Sequence, residues 1–92
     1  MIESFRHKGL KRPHEKGDRS GLSASMVPKI EEILSILEAA ETAREADIPG
    51  YRLHRLTGDL KGFWSVRVTG NWRIIFRFEE GAAHDVDLMD YH

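Results

Sequence analysis

Four side chains carry the chemistry this sequence offers. Arg73 sits on a segment whose alternation turns it away from the neighbouring aromatics, and the chain closes with Asp90-Tyr91-His92. Cleaving RNA without a metal needs a base to take the ribose 2′-OH proton and an acid to protonate the departing 5′ oxygen. It also needs a cation for the charge on the phosphoryl oxygens. His92, Asp90 and Tyr91 can share the proton transfers, since imidazole is the side chain best suited to moving protons near neutral pH. Arg73 can take the phosphate, and the Tyr91 ring can hold an unstacked base. A plainer reading competes on residue types alone, in which Arg73 and Arg77 pair with Asp85 and Asp87 across a sheet. Terminal residues are usually frayed, so the closing triplet gains weight only because a strand delivers it.

The elements that must position these groups are legible from periodicity. Ile2-Glu3-Ser4-Phe5 reads as a short strand, and His7 to Gly17, interrupted by Gly9 and Pro13, holds at most one or two helical turns. Gly17 to Ser25 is a loop. Ser25 is the candidate N-cap of a helix with Pro28 in its first turn. Ile30, Ile33, Leu34, Leu37 and Ala40 form its apolar stripe, Lys29, Glu31, Glu32, Glu38 and Glu41 its solvated side, and it should end near Asp47 to Gly50.

From Tyr51 the period changes to two. Tyr51 to Leu56 alternates, Thr57 to Gly62 turns, and Phe63 to Val68 places Trp64, Val66 and Val68 on one face. Thr69-Gly70-Asn71 is a hairpin signal, followed by Trp72, Ile74, Phe76 and Phe78 on the apolar face of the next strand, with Asn71, Arg73, Ile75 and Arg77 opposite. Glu79-Glu80-Gly81 turns into a last strand, Ala83 to Met89, with Val86 and Leu88 inward. A strand, helices and then a four-strand meander make an α+β fold of two layers, with helices covering one face of an antiparallel sheet.

That alternation poses a problem for the site. With Val86 and Leu88 inward, a regular strand sends Tyr91 to the Arg73 face but Asp90 and His92 to the other. Convergence requires a bend, bulge or strand end near Met89.

Ninety-two residues suffice for one domain, taken as 1–92, with one core. The absence of cysteine removes thiolate catalysis, disulfides and sulfur-ligated metals. A charged N-terminal region and short apolar runs make a soluble cytoplasmic protein the expectation. The net charge of −1 conceals segments of +3 (residues 1–19), −4 (20–50), +5 (51–78) and −5 (79–92), so a polyanion can be bound locally by the basic centre. Asp85 with Asp87 is the one candidate metal pair, without accompanying histidines, and no metal or other cofactor is called for. His7, His14 and His84 are expected to be exposed.

The chain resembles the HigB toxins of the RelE/ParE superfamily along essentially its whole length. The resemblance rests on Met1-Ile2-Glu3-Ser4-Phe5-Arg6-His7-Lys8-Gly9-Leu10-Lys11, on Tyr51-Arg52-Leu53-His54-Arg55-Leu56 with Gly58-Asp59, and on Gly62-Phe63-Trp64-Ser65-Val66. Asn71-Trp72-Arg73-Ile74 and Asp90-Tyr91-His92 complete it. It implies a RelE-like fold and a ribonuclease that cleaves messenger RNA in the ribosome without metal, neutralised by a HigA-like helix-turn-helix antitoxin. By the same resemblance Asp90, Tyr91 and His92 are catalytic, Arg73 binds phosphate, and His54 and Asn71 contact RNA. Thr57 stands where some relatives carry lysine, and Arg55 and Lys61 are the cations on hand to replace it. Pro13 and His14 stand where relatives tend to have apolar helical residues. The sibling ParE branch, which binds DNA gyrase without a nuclease site, and an inert antitoxin-binding homologue are the alternative readings. The closing triplet favours the nuclease branch.

Overall fold

The computed structural model of the chain describes residues 1–11 and 22–90. Its central element is an antiparallel sheet in the order β1 (His54–Arg55), β2 (Phe63–Thr69), β3 (Trp72–Glu79) and β4 (Ala82–Asp90). One helix, α1 (Val27–Ala39), packs across one face. The alternation that sets this face is the one expected: Trp64, Val66 and Val68 of β2, Trp72, Ile74, Phe76 and Phe78 of β3 and Val86 and Leu88 of β4 all join the main core. Ile30, Ile33, Leu34 and Leu37 meet them from α1, and Leu10 arrives from the helical turn at 8–11. Burying these two surfaces against each other is the main stabilising term.

Four expectations about the elements change. The helix N-cap is Met26, not Ser25, and carries no side-chain cap bond. Ser25 instead exchanges a hydroxyl hydrogen bond of 3.1 Å with Ser23 in the turn leading in. Pro28 does lie in the first turn. The helix stops at Ala39, well short of Asp47, because a second short element competes: a 3₁₀ turn, Ala43–Ala46, whose Glu45 carboxylate accepts the N–H groups of Thr42 (2.8 Å) and Glu41. Those bonds hold the Glu45 carboxyl below the usual carboxylate range, the Thr42 bond being the larger cause. The contribution is therefore present at neutral pH and is lost as pH falls through the lowered pKa. Thr42-x-x-Glu45 is a capping-box spacing visible in the sequence.

The expected strand from Tyr51 to Leu56 shrinks to two ladder residues, since Arg52 adopts φ 52°, outside extended geometry. Tyr51 still covers the edge of β2, its carbonyl accepting the Arg67 N–H at 2.6 Å. Burial, aided by a hydrogen bond with Glu32 of α1, raises the Tyr51 phenol above its ordinary pKa. The N-terminal segment does not form a full strand. It lies parallel to β4 through isolated bridges Ile2 with Ala83 and Phe5 with Val86.

The turn from β3 to β4 has positive φ at both Glu80 (51°) and Gly81 (75°), the pattern of a type I′ hairpin. Glycine occupies such a position without a Cβ clash, whereas glutamate does not. Glu80→Asn is expected to stabilise the fold by about 1 kcal/mol, raising the thermal midpoint by roughly 4–8 °C in a calorimetric comparison.

Candidate active site

The site face is the side of the sheet away from α1, and strand register decides what stands on it. His54 pairs with Ser65, which pairs with Ile75, which pairs with Asp87. In the adjacent row Arg67 pairs with Arg73 and Arg73 with Met89. Cross-strand partners share a face, so His54, Arg67, Arg73 and Asp87 all stand on this one. Arg67 was not among the residues expected in the site. The signal was available, since Phe63, Ser65 and Arg67 alternate with Trp64, Val66 and Val68, and a tight hairpin places Arg67 opposite Arg73.

This face is less polar than alternation alone predicts. Leu56, Phe63 and Ile75, with Leu60 and Met89 against them, form a second small hydrophobic cluster there. It exists because the connection after β1 folds over the sheet through a short 3₁₀ turn, Gly58–Leu60. The cluster fixes the rows beside it. Arg73 is half-buried with Nε and Nη1 shielded from solvent, and Ser65 is fully buried with its Oγ lacking a hydrogen-bond partner among the described residues. Arg6 lays its guanidinium over the Phe63 ring, 5.3 Å from the centroid.

His54 is exposed, and its Nδ1 lies 3.0 Å from the Arg52 carbonyl oxygen. A carbonyl only accepts, so Nδ1 carries the proton in the neutral ring and Nε2 is the nitrogen with the lone pair. Asn71 is exposed in the turn between β2 and β3. Asp90, exposed at the end of β4, pairs with Trp72 and so leaves the sheet on the Trp72 side, not the Arg73 side. The ladder is regular from Asp87 to Asp90, so no bulge lies within those residues. Tyr91 and His92 lie outside the described residues, as do Pro13 and His14.

The irregularity in β4 comes earlier. Ile75 pairs with Asp87 but Arg77 pairs with His84, so Asp85 and Val86 both stand opposite Phe76. This is a β-bulge with Asp85 at φ 53°. Its N–H donates to Ser4 Oγ at 2.8 Å, and its carboxylate accepts from Arg77 Nε at 3.0 Å and Nη2 at 2.9 Å. Arg77 therefore takes the plainer role weighed for it, with Glu79 as its second partner at 2.6 Å. Asp87 turns Oδ1 to the Leu88 N–H at 2.9 Å. Among the described residues no group of three or more His, Asp or Glu side chains is placed to hold a metal ion. His7 and His84 are half-buried rather than exposed, His7 by the N-terminal segment's contact with β4 and His84 by its place in the ladder.

Arg55 and Lys61 stand apart from this group. Arg55 points to the Trp64 side, 4.8 Å over the indole ring, and both cations line a cleft of about 410 Å³ with Thr57, Phe63 and Trp64.

A family model described as a RelE-like toxin of type II toxin–antitoxin system HigB matches residues 3–92. The chain belongs to the HigB-like toxin family. It is 45% identical over 92 residues to Endoribonuclease HigB of Proteus vulgaris, covering all of both chains. Toxin HigB-1 of Vibrio cholerae is 35% identical over 85 residues, 90% of each chain. The structure of the YoeB dimer from Staphylococcus aureus superposes with a TM-score of 0.60 at 19% identity, covering 99% of this chain and 97% of that one, and so shares the fold. As a HigB-like toxin of a type II system, the protein has an antitoxin as partner. Among its described residues no helix is long and apolar enough to cross a membrane.

The bulge holds the Arg73 row in phase, so loosening it is measurable. Ser4→Ala leaves the part-buried Asp85 N–H without its acceptor and is expected to cost about 1–2 kcal/mol in urea unfolding.

Proposed function

We propose that this HigB-like toxin is a ribosome-dependent endoribonuclease that cuts messenger RNA in the cytoplasm by 2′-OH attack, without a metal. It acts as a single RelE-like domain over residues 1–92 and is neutralised by a HigA-like helix-turn-helix antitoxin. The observation that carries this reading is the match to an endoribonuclease at 45% identity over the full length of both chains. A half-buried Arg73 and an exposed His54 on the same sheet face support it, because a cation and an imidazole are what the reaction needs.

In this mechanism the Arg73 guanidinium stabilises the charge that grows on the phosphoryl oxygens as the 2′ oxygen attacks phosphorus and the P–O5′ bond breaks. Asp90, Tyr91 and His92 share the two proton transfers, one group taking the 2′-OH proton and another protonating the departing 5′ oxygen, and the Tyr91 ring also stacks on the base next to the scissile bond. Asn71, exposed in the hairpin turn at the same end of the sheet as Asp90, contacts a base edge. His54 presents Nε2 to the RNA. Arg55 and Lys61 bind the backbone further along, from the cleft that also holds Thr57.

Induced expression is expected to arrest growth, with messenger RNA cut at in-frame codons. Arg73→Ala and His92→Ala should each relieve the arrest and lower cleavage by about 10²-fold or more in a ribosome-programmed assay. Arrest that survives both substitutions, or arrest with inhibited DNA supercoiling and intact messenger RNA, removes the nuclease assignment. Thr57→Lys places a third cation in the Arg55 and Lys61 cleft and is expected to raise the cleavage rate severalfold.

A further inference from the structure

Among the described residues Arg52 is one of three non-glycine positions with positive φ, at 52°. Left-handed backbone is costly for such a residue and persists where the surroundings over-determine it. Here they do. Tyr51 donates its N–H to the Ile48 carbonyl at 3.0 Å and accepts the Arg67 N–H at 2.6 Å, and Tyr51 and Leu53 both pack against the main core. The Arg52 side chain itself is exposed. The strain has a visible product. In an extended strand the carbonyls lie in the plane of the sheet and the side chains stand roughly perpendicular to it, so an extended Arg52 would aim its oxygen past a ring standing on the face two residues on. The Arg52 carbonyl oxygen instead lies 3.0 Å from His54 Nδ1.

We propose that Arg52 is a positioning residue for His54: its left-handed backbone turns its carbonyl onto the imidazole and so selects which ring nitrogen faces the substrate. A carbonyl only accepts, so the bond exists only with the proton on Nδ1. The neutral ring is thereby held as the tautomer with its lone pair at Nε2, an acceptor for a hydroxyl or N–H of the substrate, and its rotation is checked at the same time. Without that bond an exposed imidazole turns freely and populates both tautomers. The acceptor is a backbone atom, so conformation at position 52 sets the device and the arginine side chain does not. A residue that tolerates left-handed backbone keeps it, and one that resists loses it. That Nε2 meets RNA rests on the nuclease reading above. That residue 52 sets the tautomer does not.

The test uses Arg52→Asn, Arg52→Ala and Arg52→Val in the full chain. All three remove the same charge and differ in how well they accept left-handed backbone: asparagine tolerates it, alanine less, and β-branched valine least. The tautomer is read from long-range proton–nitrogen correlation NMR of the neutral imidazoles, with the His54 signals identified by their loss in His54→Gln. Wild-type His54 is expected to carry its proton mainly on Nδ1. That share stays high in Arg52→Asn and falls through Arg52→Ala to about half in Arg52→Val. Alanine keeps the series readable if valine lowers the thermal midpoint too far for a folded sample. In the ribosome-programmed assay Arg52→Val has a kcat about threefold to tenfold below that of Arg52→Asn, with KM changing less, because the orientation of the ring matters most at the reacting centre. Wild-type His54 protonated at Nε2, or the same tautomer share in Arg52→Asn and Arg52→Ala, overturns the proposal. Equal kcat across the series despite a changing tautomer overturns the positioning role. If the tautomer follows the series but the wild type cuts no RNA, the control of His54 by residue 52 stands and the nuclease reading falls.

Discussion

The arrangement of this toxin depends on one extra residue in its last strand. Because side chains alternate with a period of two, a strand that starts with Ala83 inward would carry Asp85, Asp87 and Met89 inward as well. The bulge at Asp85 shifts the phase by one, so that Val86 and Leu88 fill the core while Asp87 and Met89 join the Arg73 face. A left-handed backbone at a non-glycine residue is costly, and the fold offsets it from two directions. Ser4 takes the Asp85 N–H, and Arg77 takes the carboxylate. The N-terminal segment, the bulge and the third strand are therefore one mechanical unit.

Around that unit the two faces of the sheet are built by different rules. The face under α1 is a continuous apolar core whose members are mostly inaccessible. The opposite face combines a small hydrophobic island with arginines, and the island holds the side chains beside it in place while leaving part of Arg67 and Arg73 open to solvent. A cation fixed in this way loses little freedom when it meets an anion, which is the condition for stabilising a transition state more than a ground state. Arg77 sits on the same face and does structural work instead.

Most of the fold was legible in the sequence. The change of period at Tyr51, the hairpin at Gly70-Asn71 and the inward set of Trp72, Ile74 and Phe76 follow from local pattern, and local pattern is what the sheet obeys there. The boundaries that moved were set by competition. Ser25 lost to Ser23 and Met26, and the helix lost its last turns to the Thr42-Glu45 turn, where tertiary and local bonds outweigh propensity. The site was half legible. Arg73 and His54 share a face as the strand pattern allows, but the second apolar cluster depends on a connection folding back over the sheet, which no periodicity records. The bulge at Asp85 was not foreseen, because a residue type that tolerates left-handed backbone does not by itself mark where a ladder shifts.

The parallel contact of Ile2 with Ala83 and of Phe5 with Val86 has a consequence for how the molecule comes into being. Ile2 and Phe5 must wait for a strand made much later before they find their neighbours, and contacts of such long sequence separation form only after a large loop has closed. During synthesis the core of α1 and the first hairpin can assemble early, but the strand edge and the bulge cannot. Until β4 has been made, the chain therefore lacks the strand that completes the arginine face.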